Sequence, residues 1–76
     1  MSEKQQRLIR CFRGVFPELS ETDVGRASVS NLTAWDSVAT VTLAAAMEEE
    51  FGIQFEPEEL EKMSSFQSCL NLLANH

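Results

Sequence analysis

In TAWDSVATV, residues 33–41, an aspartate and a serine stand between Trp35 and Val38 at the front of an apolar helical stretch. Asp and Ser are among the strongest helix-starting residues, because a side-chain oxygen accepts one of the unpaired backbone N–H groups of the first turn. With Asp36 as N-cap, Ser37 falls at the first helical position, exposed at the positive end of the helix. A phosphodiester there is electrostatically favoured, since unpaired N–H groups point towards it. A structural cap and an acceptor for a group installed by another enzyme are therefore compatible readings. Self-contained catalysis is not: a serine nucleophile needs a positioned general base, and Asp36, the immediate neighbour, does not face Ser37 on a helix.

No other constellation in the chain supplies chemistry. His76 is the single histidine and the last residue, where fraying is expected. The sequence has no H-E-x-x-H, Walker or G-x-S-x-G motif. Its acidic clusters lack the alternating Asp/Asn ligands and central glycine of a calcium loop. Cys11 and Cys69 have no metal-ligand spacing and fall on apolar helical positions, so they are expected as buried free thiols in a reducing compartment. The expectation is a protein with no catalytic residues and no metal ligands of its own.

The elements that must position Ser37 are helices. Leu8, Ile9, Phe12, Val15 and Phe16 recur at helical spacing, which predicts a helix over about 3–15, capped by Ser2, weakened near its end by Gly14 and stopped by Pro17. Arg7, Arg10 and Arg13 share its polar face and are expected to be solvated. Residues 17–35 form a long polar connection, with Leu19, Val24, Val29 and Leu32 expected to pin it across the core. The helix from Ser37 to Phe51 carries two apolar faces at about 100° per residue: Leu43, Met47 and Phe51 on one, Val38, Val41 and Ala45 on the other. Gly52 suits its left-handed end, with Ile53 reaching back. Glu48, Glu49 and Glu50 sit where the macrodipole prefers cations. PEELEKM offers a short turn with Pro57 at its first position. A last helix is expected over about 65–74, with Ser64 and Gln67 at capping-box spacing and Phe66, Cys69, Leu70, Leu72 and Leu73 on its apolar side. Nothing reads as strand, so the predicted fold is all-α, a bundle of three main helices plus one short one.

Length and charge bound the rest. Seventy-six residues, 43% of them apolar, make a single domain over 1–76. The net charge of −6 is uneven: residues 1–34 carry net +1 and residues 35–76 net −7. The acidic half argues against nucleic acid and anionic membrane surfaces, and suits partners with basic patches. Solvation of a small helical protein explains the same charge nearly as well. No secretory-type leader pattern and no run long enough to span a bilayer is present, which predicts a cytoplasmic protein.

LTAWDSVATVTLAAAMEEEFGI, residues 32–53, resembles the phosphopantetheine-attachment region of acyl carrier proteins. The shared pattern is Asp-Ser-Leu or a close variant, an apolar helix, and Glu-Glu-Glu-Phe-Gly-Ile. ASVSNL before it and PEELEKMSSFQSCLNLL after it extend the likeness over nearly the whole chain, whereas Asp-Ser-Val alone is a weak match. The resemblance implies that Ser37 receives 4′-phosphopantetheine from coenzyme A through a phosphopantetheinyl transferase, and that the arm's thiol carries an acyl group as a thioester. It implies that Asp36 and Val38 complete the attachment motif, and that Val41, Glu48 and Glu49 lie on a face that docks transferase, ligase or synthase partners of a monomeric carrier.

Three departures bear on the partners. Val38 replaces the commoner leucine. Thr33 stands where glycine is frequent, and Trp35 precedes the aspartate, a combination that also occurs in carriers outside housekeeping fatty-acid synthesis. Ala39, Thr40 and Thr42 leave the front of the helix without the acids that many fatty-acid carriers show there. The resemblance implies partner enzymes of fatty-acid or of specialised lipid or polyketide metabolism, and the last departure favours the specialised carrier. A peptidyl or aminoacyl carrier is not separated from this, because cargo hangs on the same arm. A small acidic interaction module without a prosthetic group is the alternative of a different class.

Overall fold

The computed structural model describes residues 3–76; the expected cap at Ser2 lies outside them. Five helices follow in order: α1 (Glu3–Val15), α2 (Glu21–Val24), α3 (Ser37–Phe51), α4 (Pro57–Leu60) and α5 (Phe66–Ala74). The described residues contain no named strand, only an isolated antiparallel bridge between Ser28 and Ser65. The all-α prediction holds, with one more short helix than expected. α2 is four residues long, too short for any apolar period to repeat, but its cap is legible: Ser20 Oγ accepts the Asp23 N–H at 3.3 Å.

The core is built on Phe12. Its ring meets Trp35 edge-on at 5.4 Å and Phe66 at 5.3 Å, with Phe16 tilted against Trp35 at 5.8 Å. Edge-to-face pairs of this kind add to the large apolar area that each ring buries. Leu8, Leu43, Met47, Cys69 and Val24 are fully enclosed around them. Phe12 of α1 and Phe16 just after it thus close on the tryptophan that precedes Ser37 by two residues, and Phe66 of α5 backs Phe12.

The long connection is pinned, but not at every expected residue. Val24 is fully buried and Leu19 and Leu32 are half-buried, whereas Val29 is 48% exposed. What holds the chain there is backbone: the Val29 N–H donates to Ser64 O at 2.9 Å, and the Phe66 N–H to Ala27 O at 2.9 Å. Asn31 adds a clasp, accepting the Ser28 N–H at 3.0 Å and donating to Arg26 O at 2.8 Å. The same stitching moves the α5 capping box one residue from the predicted pair. Ser65 and Ser68 form it, each hydroxyl accepting the other's backbone N–H at 3.0 Å, while Ser64 lends its carbonyl to Val29 and its N–H to Ser68 Oγ.

The far end of α3 carries further clamps. Gly52 takes φ 65°, the left-handed value glycine adopts without Cβ strain, and Glu48 O accepts the N–H groups of Gly52 and Ile53. Arg7 is not simply solvated: its guanidinium donates to Glu50 Oε2 at 2.7 Å and to the Glu50 carbonyl, and lies 4.8 Å from the Phe51 ring centre. Glu50 therefore meets a cation supplied by α1, which offsets its unfavourable place at the helix end. His76 is not frayed either. Its Nε2 lies 2.8 Å from Glu59 Oε2 and its ring stands edge-on to Phe55 at 5.2 Å, tying the end of the chain to α4.

These clamps predict acid sensitivity. The Arg7 hydrogen bond holds the Glu50 carboxyl below its ordinary range. The Glu56 backbone N–H, and after it His76, do the same for Glu59. A carboxylate depressed in the folded state stabilises above its unfolded pKa of about 4.3, and that contribution is lost as pH falls through the lower folded value. Melting temperature should fall on acidification below about pH 4. The pair Glu50→Gln and Glu59→Gln should flatten that slope in a pH series of thermal melts.

Candidate functional site

The candidate site is the start of α3, and Trp35 ties that turn to the core. Trp35 is 4% exposed, and its Nε1–H donates to Thr40 Oγ1 at 2.9 Å. Thr40 Oγ1 in turn donates to Asp36 O at 3.1 Å, closing a loop from the buried indole back to the cap. Asp36 is extended, with φ −106° and ψ −171°, and its Oδ1 accepts the Ala39 N–H at 2.8 Å. This is the predicted N-cap. Its removal in Asp36→Ala should cost about 1 kcal/mol of stability, read from a denaturant melt.

Ser37 is the first residue of α3 and is exposed. Its hydroxyl makes no hydrogen bond among the described residues, while Thr40 and Thr42 donate theirs to the carbonyls of Asp36 and Val38 at 3.1 Å each. Two consequences follow for a phosphate on Ser37. The hydroxyl is available without breaking an internal contact. The amides of Ser37 and Val38, the first of the helix, have no intrahelical carbonyl to bind and face the positive end of the dipole. The Asp36 carboxylate is drawn aside to Ala39, so the residues present fit a phosphodiester at this place.

Asp36, Ser37 and Val38, the expected attachment motif, form the N-cap and the first two positions of α3. Val38 is 72% and Val41 59% exposed, while Leu43 and Met47 on the opposite face are fully buried. The second apolar face of α3 is thus on the surface. Glu48 and Glu49 lie about three turns away, roughly 16–18 Å along the axis from Ser37. They differ from one another. Glu49 is exposed, but Glu48 is half-buried and its Oε2 accepts the Phe55 N–H at 2.8 Å, closing the turn after Gly52. That bond was not legible beforehand, since nothing in the sequence aims a glutamate at an amide seven residues on.

The alanines after Val41 face three ways. Ala44 is buried in the core and Ala45 is exposed. Ala46 lines an open cleft of about 540 Å³ between α1 and α3, with Arg10, Cys11, Gly14, Val15 and Thr42. They do not form one wall of a chamber, and Ser37 does not line that cleft. Among the described residues there is no group of three or more His, Cys, Asp or Glu able to hold a metal ion, and no helix is long and apolar enough to cross a membrane.

Comparison with known proteins places this geometry. The family described as "Phosphopantetheine attachment site" matches residues 6–73. A curated acyl carrier protein of Petrotoga mobilis (strain DSM 10674 / SJ95) is 46% identical over 39 residues, which are 51% of this chain and 46% of that protein. The match thus spans about half the length of each. No solved structure gives a significant match. A domain of this family is where 4′-phosphopantetheine is held covalently, and that arm is the prosthetic group of this domain. With the family match extending from α1 to α5, the chain belongs to the phosphopantetheine-binding family of acyl carrier proteins.

Proposed function

We propose that residues 1–76 act as one monomeric, cytoplasmic carrier domain whose arm is attached at Ser37. A single observation carries the assignment: Ser37 is the hydroxyl at the front of α3 that is exposed and without an internal partner, beside amides suited to a phosphate. In the loading step Ser37 Oγ attacks the β-phosphorus of coenzyme A. A P–O bond forms, the bond to the nucleotide bisphosphate breaks, and the hydroxyl proton passes to a base of the transferase. Once bound, the arm supplies a thiol that holds cargo as a thioester. The chain's own residues present that serine and dock the enzymes. Beyond the serine oxygen that accepts the arm, they supply no acid, base or nucleophile to the partners' reactions.

The cargo proposed is an acyl group of specialised lipid or polyketide metabolism. The neutral stretch Val38–Met47 supports this, since partners that read acids at the front of the helix find none before Glu48. Thiol counting in the native protein tests the carrier assignment. Cys69 is fully buried and its thiol is pushed up to about 12, and burial also raises Cys11. Both should resist a thiol reagent at neutral pH. Incubation with coenzyme A, Mg²⁺ and a broad-specificity transferase should add one fast-reacting thiol per chain, and no gain would contradict the carrier assignment. Loading the holo form with acyl ligases, amino-acid adenylating enzymes and housekeeping elongation enzymes separates the cargo classes; efficient shuttling through the last would contradict a specialised role.

A further inference from the structure

The charge of α1 is opposite in sign to that of the chain as a whole. The helix carries Lys4, Arg7, Arg10 and Arg13 against the single acid Glu3, a net charge of +3 in a protein of net −6. If these cations served the fold alone, its acids would meet them. Arg7 is met in this way, by Glu50 at 2.7 Å. Arg13 approaches Glu21 at 3.4 Å, long for a charge-assisted bond, and both side chains are exposed. Arg10 is exposed and makes no hydrogen bond or ion pair among the described residues, although Glu49 and Glu50 border the same cleft.

Gln6, Arg10 and Arg13 fall within about 60° of one another on the helix. With Ile9 and with Glu21 of α2 they line a hollow of about 280 Å³ in which α3 has no part. A guanidinium presents its N–H donors as a fork matched to a carboxylate. Two of them beside an amide and an apolar side chain make a seat for a carboxylate and the methylenes that carry it. Gly14 stands one turn after Arg10 and is exposed. Glycine is a poor helix residue, and neither of its usual reasons applies within the chain. Its φ is not positive, and a Cβ added there would meet nothing within 4 Å. The remaining use of a missing side chain is close approach from outside.

We propose that this strip of α1 is an interaction surface for an acidic, extended segment of a partner protein, whose carboxylates fork onto Arg10 and Arg13 while its main chain crosses the helix at Gly14. Charge complementarity selects the occupant, since a basic segment would be drawn instead to the net −7 of residues 35–76. Glu49 and Glu50, across the cleft from Arg10, turn an acidic segment towards the α2 side. There it competes with the loose Glu21 contact for Arg13. The surface involves neither Ser37 nor its arm, so it stands apart from the carrier reading.

An NMR titration of the ¹⁵N-labelled full chain tests this, with a blocked hexaglutamate peptide as the probe at low salt. Amide signals of residues 9–14 and 21 should shift saturably, with a Kd of about 1 mM or tighter. Arg10→Gln and Arg13→Gln should each weaken binding by about two- to fivefold, the range of an exposed ion pair. Lys4→Gln removes the same charge from another face of α1 and should leave binding nearly unchanged. Gly14→Ala should raise the melting temperature by about 2–8 °C, because alanine suits the helix. The same variant should weaken the peptide by about fivefold or more, the cost of a methyl group forced into a close contact. No shift at these residues, equal weakening by Lys4→Gln, or unchanged binding to Gly14→Ala overturns the proposal. A lower melting temperature for Gly14→Ala overturns it too, by giving that glycine a role in the fold. So does the same saturation with inorganic phosphate at matched ionic strength, which would make the surface a simple anion site. Shifts of these residues on raising protein concentration alone would assign the surface to a second copy and equally overturn it.

Discussion

Ser37→Ala is expected to abolish transfer of phosphopantetheine completely while leaving the melting curve unchanged. The residue is exposed and its hydroxyl has no hydrogen bond among the described residues, so truncation removes no packing and orphans no partner there. The other hydroxyls of α3 are committed. Thr40 and Thr42 have their hydroxyls turned back to main-chain carbonyls, and Ser65 and Ser68 cap each other at the start of α5. Ser28 and Ser30 are bonded to each other at 2.8 Å. A variant that still loads would show that the acceptor lies elsewhere, and one that unfolds would show that Ser37 is mainly a structural cap.

The second large effect concerns Trp35. Trp35→Ala is expected to destabilise the domain by about 3–5 kcal/mol, the usual cost of deleting a buried aromatic ring. For 76 residues the whole stability is roughly 4–11 kcal/mol, so the variant should lose between about a quarter of it and all of it. Trp35→Phe keeps most of the contact with Phe12 and Phe16 and loses the indole N–H to Thr40. It should cost about 1 kcal/mol plus a small cavity term. Urea melts of the two variants check the order. Because the Trp35–Thr40–Asp36 chain joins core to cap, Trp35→Phe should also load more slowly than the native protein at equal folded fraction.

Much of this was legible in the sequence where a residue's role depends on near neighbours. The bounds of α1 and α3, the Asp36 cap, the left-handed Gly52 and Pro57 at the start of α4 all follow from spacing within a turn or two. Placement of Val38 and Val41 opposite Leu43 and Met47 followed from helical periodicity, although periodicity could not say which face was the core. What the sequence hid are contacts between distant segments. Arg7 reaching Glu50, His76 reaching Glu59, and the loop stitched to Ser64 and Phe66 depend on how the helices cross, which no local pattern encodes. Those contacts also changed the reading of the acids. Glu48 and Glu49 are the pair expected on the docking face, and of the three successive glutamates Glu48 closes a turn while Glu50 clasps α1. Val29 misled for a related reason: its backbone, not its side chain, is what the fold uses.

The most direct test of the central claim is to load the purified chain with coenzyme A and a transferase, digest it, and sequence the modified peptide by fragment mass spectrometry. One phosphopantetheine per chain is expected, on the peptide spanning Trp35–Val38 and localised to Ser37. Addition at any other hydroxyl, or no addition to the folded protein, would contradict it.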